Sequence, residues 1–127
     1  MSKSAQDFLS EANSMVPSIA VAEAVSLINS GEAVVIDVRD GKEIDQSGTV
    51  KNALRIPRGM IEFVADPTTS FYNDQISNDK EILVICGAGG MAALTGKTLM
   101  EMGYTNVHNV GGFSEWEDAC HKSVKIR

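Results

Sequence analysis

An α/β fold, a mostly parallel sheet with helices on both faces, is what this sequence predicts, and three observations predict it. Apolar runs of strand length alternate with helical stripes along the chain, joined by short connections. The run Leu83-Val84-Ile85 is apolar without alternation, as in a strand buried on both faces of a parallel sheet. That run ends on Cys86, three glycines fall within the next four residues, and a helical pattern follows up to Gly103. Ligands of such sheets bind beyond the carboxyl ends of the strands. Cys86 stands at one of those ends.

In chain order, Phe8, Leu9, Ala12, Met15 and Val16 fall on one face of an N-terminal helix expected to pack on the domain, and Pro17 stops it. Ile19 begins a short extended piece. Val21, Ala24, Val25 and Ile28 give a second helical stripe, closed by Ser30-Gly31. Residues 33–38 are a strongly apolar strand with Asp37 and Arg39 at its C-terminal end, where a local ion pair would fix the sheet edge and its loops. A charged turn from Asp40 to Gly48 holds a short helical candidate around Glu43. Residues 53–56 form a further short strand, broken by Pro57.

Residues 58–65 read as helical, and 66–80 as irregular, with Pro67 among several Ser, Thr, Asn and Asp residues. After the glycine loop a helix runs from about Met91 to Met102 and carries the small residues Ala92, Ala93 and Gly96. Gly96 costs about 1 kcal/mol against alanine in a helix interior, so close packing on the sheet is expected there. Gly103 caps that helix. Residues 106–110 are the last strand, Gly111-Gly112 a turn, and residues 113–121 a closing helix with Trp116.

The 127 residues fit one domain, with residues 1–17 as an N-terminal helical extension. A formal net charge of −6 argues against nucleic acid or an anionic membrane as partner, so any anion site must be local. No stretch approaches the roughly 20 apolar residues of a membrane span, and the first residues carry no apolar signal core. Two cysteines make no disulfide framework, so a reducing cytoplasm is the expected compartment.

The chemistry is expected at Cys86. Glycines allow positive φ and leave no Cβ over the backbone, so successive N–H groups can turn inward around an anion. The following helix adds unpaired amides and the positive end of its dipole. Such surroundings favour a thiolate. The loop lacks the Lys and Ser/Thr of a nucleotide phosphate loop, which excludes ATP or GTP. His108 and His121 have no ligand spacing with a cysteine, so no metal and no cofactor is expected. A Cys-His protease pair would lack a third, orienting group.

From Ser18 to Trp116 the chain resembles a single-domain rhodanese, of the sulfurtransferase family. The resemblance rests on Val35-Ile36-Asp37-Val38-Arg39, on residues 48–57, on Cys86-Gly87-Ala88-Gly89-Gly90, on residues 102–107, and on Asn109-Val110-Gly111-Gly112-Phe113-Ser114-Glu115-Trp116. It implies a rhodanese-like fold and a ping-pong transfer of sulfane sulfur. Cys86 takes sulfur from thiosulfate or a persulfide, becomes a persulfide, and passes the sulfur to a thiol or cyanide. The loop amides from Gly87 through Ala88, Gly89 and Gly90 to Met91 would hold the negative persulfide. The donor is expected to be a small molecule or protein-bound.

Two positions depart from the family's pattern. Met91 stands where an arginine usually follows the cysteine by five positions, which puts efficient thiosulfate use in doubt. Gly48-Thr49-Val50-Lys51-Asn52-Ala53 replaces the usual Gly-His-Ile-Pro-Gly-Ala, a change expected to touch only a turn and its packing. Arg58 is the nearest remaining cation expected to reach the site. Ile61, Phe63, Phe71 and Tyr72 read as core or flap residues, or as an apolar rim at the mouth. Cys120 reads as structural or incidental rather than as a resolving thiol. The missing arginine keeps open a second function, a non-catalytic binding or regulatory module. A third, a phosphatase or arsenate reductase, would need a longer loop with its own arginine.

Overall fold

The computed structural model describes residues 2–116. Its centre is β3, Glu81–Cys86, whose residues 82–86 are all buried, as its unbroken apolar run requires. β1, Ala33–Asp37, pairs with it on one side and β4, Val107–Gly112, on the other. β2, Leu54–Arg55, closes the β1 edge, so the order is β2-β1-β3-β4 and every pairing is parallel. The expected strand at 53–56 is shorter than its sequence pattern. Ile56 adds one more bond, its N–H donating to the Asp37 carbonyl, and Pro57 then removes the next donor.

Alternation along the strands sends side chains to two separate cores. Val34, Ile36, Ile82, Val84 and Cys86 point to one face, Val35, Leu83 and Ile85 to the other. The first face is covered by α4, Ile61–Val64, and α5, Gly90–Glu101, with the fully buried Ile76 of the irregular 66–80 segment adding to the core. The second is covered by α2, Val21–Asn29, and by the helical residues 113–116, which bring Phe113 and a fully buried Trp116. α3, Gly41–Ser47, sits beyond the end of β1, its N-cap Asp40 accepting from the Lys42 N–H at 2.9 Å. Residues 58–65 divide into a 3-10 turn, Arg58–Met60, and α4.

The N-terminal helix is α1, Ala5–Met15, and it lies on α5. Its stripe is only half used: Ala12 and Val16 are buried, whereas Phe8 and Met15 stay 48% and 41% exposed. Gly96 is where the two meet. A Cβ there would stand 2.8 Å from Val16 Cγ1 and 3.4 Å from Val107 Cγ1, so the helix glycine admits the end of α1 as much as the sheet.

Gly111 and Gly112 do not form a turn. They pair with Ile85 and Cys86 as the last residues of β4, past a bulge at Val84/Ile85. Their lack of side chains is needed because the cysteine loop runs directly over them. A Cβ on Gly112 would lie 2.7 Å from the Gly87 carbonyl oxygen.

Candidate active site

Cys86 ends β3 with its side chain in the first core and is 2% exposed, a free thiol. The chain then turns through Gly89, whose φ of 100° is a left-handed conformation that glycine adopts without strain, and enters α5 at Gly90. No side chain caps α5. The sulfur takes that place: Cys86 Sγ accepts the Gly89 N–H at 2.9 Å and the Ala92 N–H at 3.3 Å. The amides of Gly87, Ala88, Gly90 and Met91 donate to no acceptor among the described residues. The N-terminus of a 12-residue helix therefore lies at the sulfur, with the Ala92 amide of its first turn bonded to it, and its dipole favours negative charge there.

Beyond Cys86 opens a cavity of about 370 Å³. Gly87, Ala88, Gly90 and Met91 form one side with the cysteine; Arg39, Asp40 and Glu43 form the other. Of the loop residues expected to hold substrate, Gly89 alone does not line it, its N–H being spent on the sulfur. Met91 is 40% exposed and forms the wall between this cavity and a second groove.

Arg58 lines that second groove and not the first. Its Nη2 donates to Thr98 Oγ1 at 3.2 Å, and Glu62 stands 3.6 Å from Nη1. Nor do the candidate rim residues line the mouth. Ile61 is fully buried, Tyr72 lines a different hollow with Tyr104, and Phe63 and Phe71 meet edge to face on an exposed surface. Cys120 and His121 lie outside the described residues. His108 pairs with Glu81 at 2.7 Å, at the opposite end of β3 from the cysteine. No metal-binding cluster of three His, Cys, Asp or Glu side chains occurs among the described residues, and no helix among them is long and apolar enough to cross a membrane.

The expected pair of Asp37 and Arg39 is present and buried, and it reaches the cavity. Arg39 Nε and Nη2 both donate to the Asp37 carboxylate, at 3.1 and 2.8 Å, while Nη1 donates to Ser47 Oγ and Nη2 also to the Gly48 carbonyl. Its guanidinium lies 4.0 Å above the Phe113 ring. Thr49 completes the cluster, donating to Asp37 Oδ2 at 2.7 Å, so the altered segment anchors the carboxylate as well as making a turn. Asn52 holds that turn in the left-handed region at φ 68°.

Asn109, Asp40 and Glu43 were not expected here as site residues. Asn109 is 6% exposed in β4; its Nδ2 donates to the Gly89 carbonyl at 3.1 Å and its Oδ1 accepts the Gly111 N–H at 2.8 Å. It ties the cysteine loop to the sheet. An asparagine among the apolar residues of the last strand was the available signal. Glu43 Oε2 approaches the loop across the cavity, 3.6 Å from where a Gly87 Cβ would stand. Only the folded chain reveals that approach.

Comparison with known proteins places residues 20–119 under a family model described as "Rhodanese-like domain". The human thiosulfate:glutathione sulfurtransferase is 27% identical over 107 residues, covering 79% of this chain and 92% of that protein. The adenylyltransferase and sulfurtransferase UBA4 of Candida albicans is 32% identical over 97 residues, covering 76% of this chain; the chain spans 22% of that relative's length. Among solved structures, a Rhodopseudomonas palustris protein of unknown function, described as a possible tyrosine phosphatase, superposes with a TM-score of 0.87 at 33% identity, covering 100% of this chain and 96% of that one. The human single-domain sulfurtransferase TSTD1 gives 0.71 at 26% identity, covering 81% and 96%.

Proposed function

The chain belongs to the rhodanese-like domain family, and from that premise we propose that it is a sulfurtransferase carrying sulfane sulfur as a persulfide on Cys86. One observation carries the reading: a buried cysteine sulfur that receives two backbone N–H groups at the start of a helix whose first residues, Gly90 and Met91, line the same cavity. The Cys86 thiolate attacks the outer sulfur of the donor, the donor's sulfur–sulfur bond breaks, and its electron pair leaves with the donor remnant, sulfite in the case of thiosulfate. A thiolate or cyanide then attacks the outer sulfur of the persulfide, and the electron pair returns to Cys86.

Thiosulfate is a poor match for this cavity. Met91 supplies no charge, Arg39 is committed to Asp37, and Asp40 and Glu43 add negative charge. A persulfide donor of lower charge suits it better. The same features speak against a phosphatase, whose dianionic substrate would find no arginine between Gly87 and Ala92. The test is incubation with thiosulfate, glutathione persulfide and inorganic polysulfide, followed by intact mass. A one-sulfur gain is expected, absent in Cys86→Ser and retained in Cys120→Ser. If the folded protein gains sulfur from no donor, the binding-module reading replaces this one.

A further inference from the structure

The groove beside the cysteine cavity has no role in the chemistry above. It encloses about 470 Å³ between α1 and the start of α5, lined by Ala5, Phe8 and Leu9 on one side and Gly90, Met91 and Leu94 on the other, with Arg58 at its edge. Its lining is apolar apart from that arginine. Phe8 and Met91, two large apolar side chains, remain 48% and 40% exposed there. Gly90 and Met91 line both hollows, so the groove adjoins the cysteine cavity across Met91. One wall of it is α1, which lies outside the family match at 20–119. A Cβ on Gly90 would stand 3.4 Å from Leu9 Cδ2, so α1 rests on the active-site loop itself.

Resting on the sulfurtransferase reading, the geometry points to this groove as the specificity subsite for an organic thiol or persulfide whose body is an apolar chain ending in a carboxylate. The sulfur end lies at Cys86, the chain runs along Met91, Leu94 and Phe8, and the carboxylate meets Arg58. Arg58 is held at Thr98, seven residues along α5 from Met91 and therefore about 10 Å along the helix axis. A chain of several methylenes is needed to cover that span along α5. Glu62 is 3.6 Å from Arg58 and half exposed, too distant to take its hydrogen bonds. In the discharge step the substrate thiol loses its proton to solvent and its sulfur attacks the outer persulfide sulfur. The bond to Cys86 breaks, and no oxidant or reductant is needed.

The experiment has two independent arms. In the first, Cys86 persulfide formed with polysulfide is discharged by 3-mercaptopropanoate, 6-mercaptohexanoate and 8-mercaptooctanoate. The rate constant at low thiol concentration is expected to rise by about threefold per methylene, somewhat below the value for complete burial. Phe8→Ser and Leu94→Gln flatten that rise, and Arg58→Gln removes the preference for 8-mercaptooctanoate over 8-mercaptooctanol. In the second arm, sodium octanoate is titrated into the Cys86→Ser protein and followed by the methyl resonances of Leu9 and Leu94. These shift saturably, and Phe8→Ser weakens the binding. Robust discharge that is flat in chain length, or octanoate shifts that avoid Leu9 and Leu94, overturns the proposal. Octanoate binding without sulfur transfer would support the subsite while overturning the persulfide chemistry.

Discussion

Met91 is a single residue with a disproportionate effect on charge. A thioether offers dispersion and desolvation where an arginine would offer two parallel hydrogen bonds and a full charge. Met91→Arg is therefore expected to raise kcat/KM for thiosulfate by about 10-fold, which needs only ~1.4 kcal/mol of transition-state stabilisation. Steady-state rates on thiosulfate and on a neutral polysulfide separate this from a general gain, since the polysulfide rate should not rise. Asn109 acts at one remove, through the Gly89 carbonyl. Its replacement by alanine loses about 1 kcal/mol of hydrogen bonding and leaves the loop free to shift. Asn109→Ala should lower kcat several-fold with little change in KM, whereas a purely structural role would lower only the melting temperature.

Among the elements, α1 carries the most specific consequence. Its N-terminus is a capping box in which Ser4 accepts the Asp7 N–H and Asp7 accepts the Ser4 N–H, and Lys3 reaches Glu11 at 2.8 Å. The Ser4 backbone and side-chain bonds hold the Asp7 carboxyl below its ordinary range, and the Lys3 bond does the same for Glu11. Carboxylates so depressed contribute stability that is present above their unfolded-state values and is lost as pH falls through the folded ones. Acid is thus expected to loosen α1 as pH falls below the ordinary carboxylate range. Methyl resonances of Leu9 and Leu94 report this on titration. Asp7→Asn with Glu11→Gln should produce the same loosening at neutral pH; no movement in either case would show that burial of Ala12 and Val16 alone holds the helix.

For the whole molecule, charge sets what can approach. The net charge is −6, and Asp40 and Glu43 lie at the cavity itself. A dianionic donor is repelled over a distance set by ionic strength. Raising salt from about 0.02 M to about 0.3 M contracts the screening length severalfold, so kcat/KM for thiosulfate should increase while that for an uncharged polysulfide stays level. A fall for thiosulfate would mean an attractive local field at the cavity and would overturn this account. The buried cluster of Asp37, Arg39 and Thr49 joins β1, the end of α3 and the residues before β2. Removing one member of such a pair costs about 3–5 kcal/mol, much of a small domain's stability.

The strand-helix alternation, the doubly buried β3, the place of Cys86 between β3 and α5 and the Asp37–Arg39 pair were legible in the sequence, because each depends on residues close in the chain or on a repeating burial pattern. Other features depend on approaches between distant segments, and no local pattern encodes them. Gly111 and Gly112 look like a turn until the cysteine loop is seen crossing them at 2.7 Å from a would-be Cβ. Phe63 and Phe71 suggest an apolar rim, but the apolar groove beside the cysteine cavity is lined by Phe8 and Leu9, from a helix more than seventy residues away in the chain that reads only as packing. Periodicity states which residues prefer to leave water. Only tertiary packing decides which of them are left facing the cysteine.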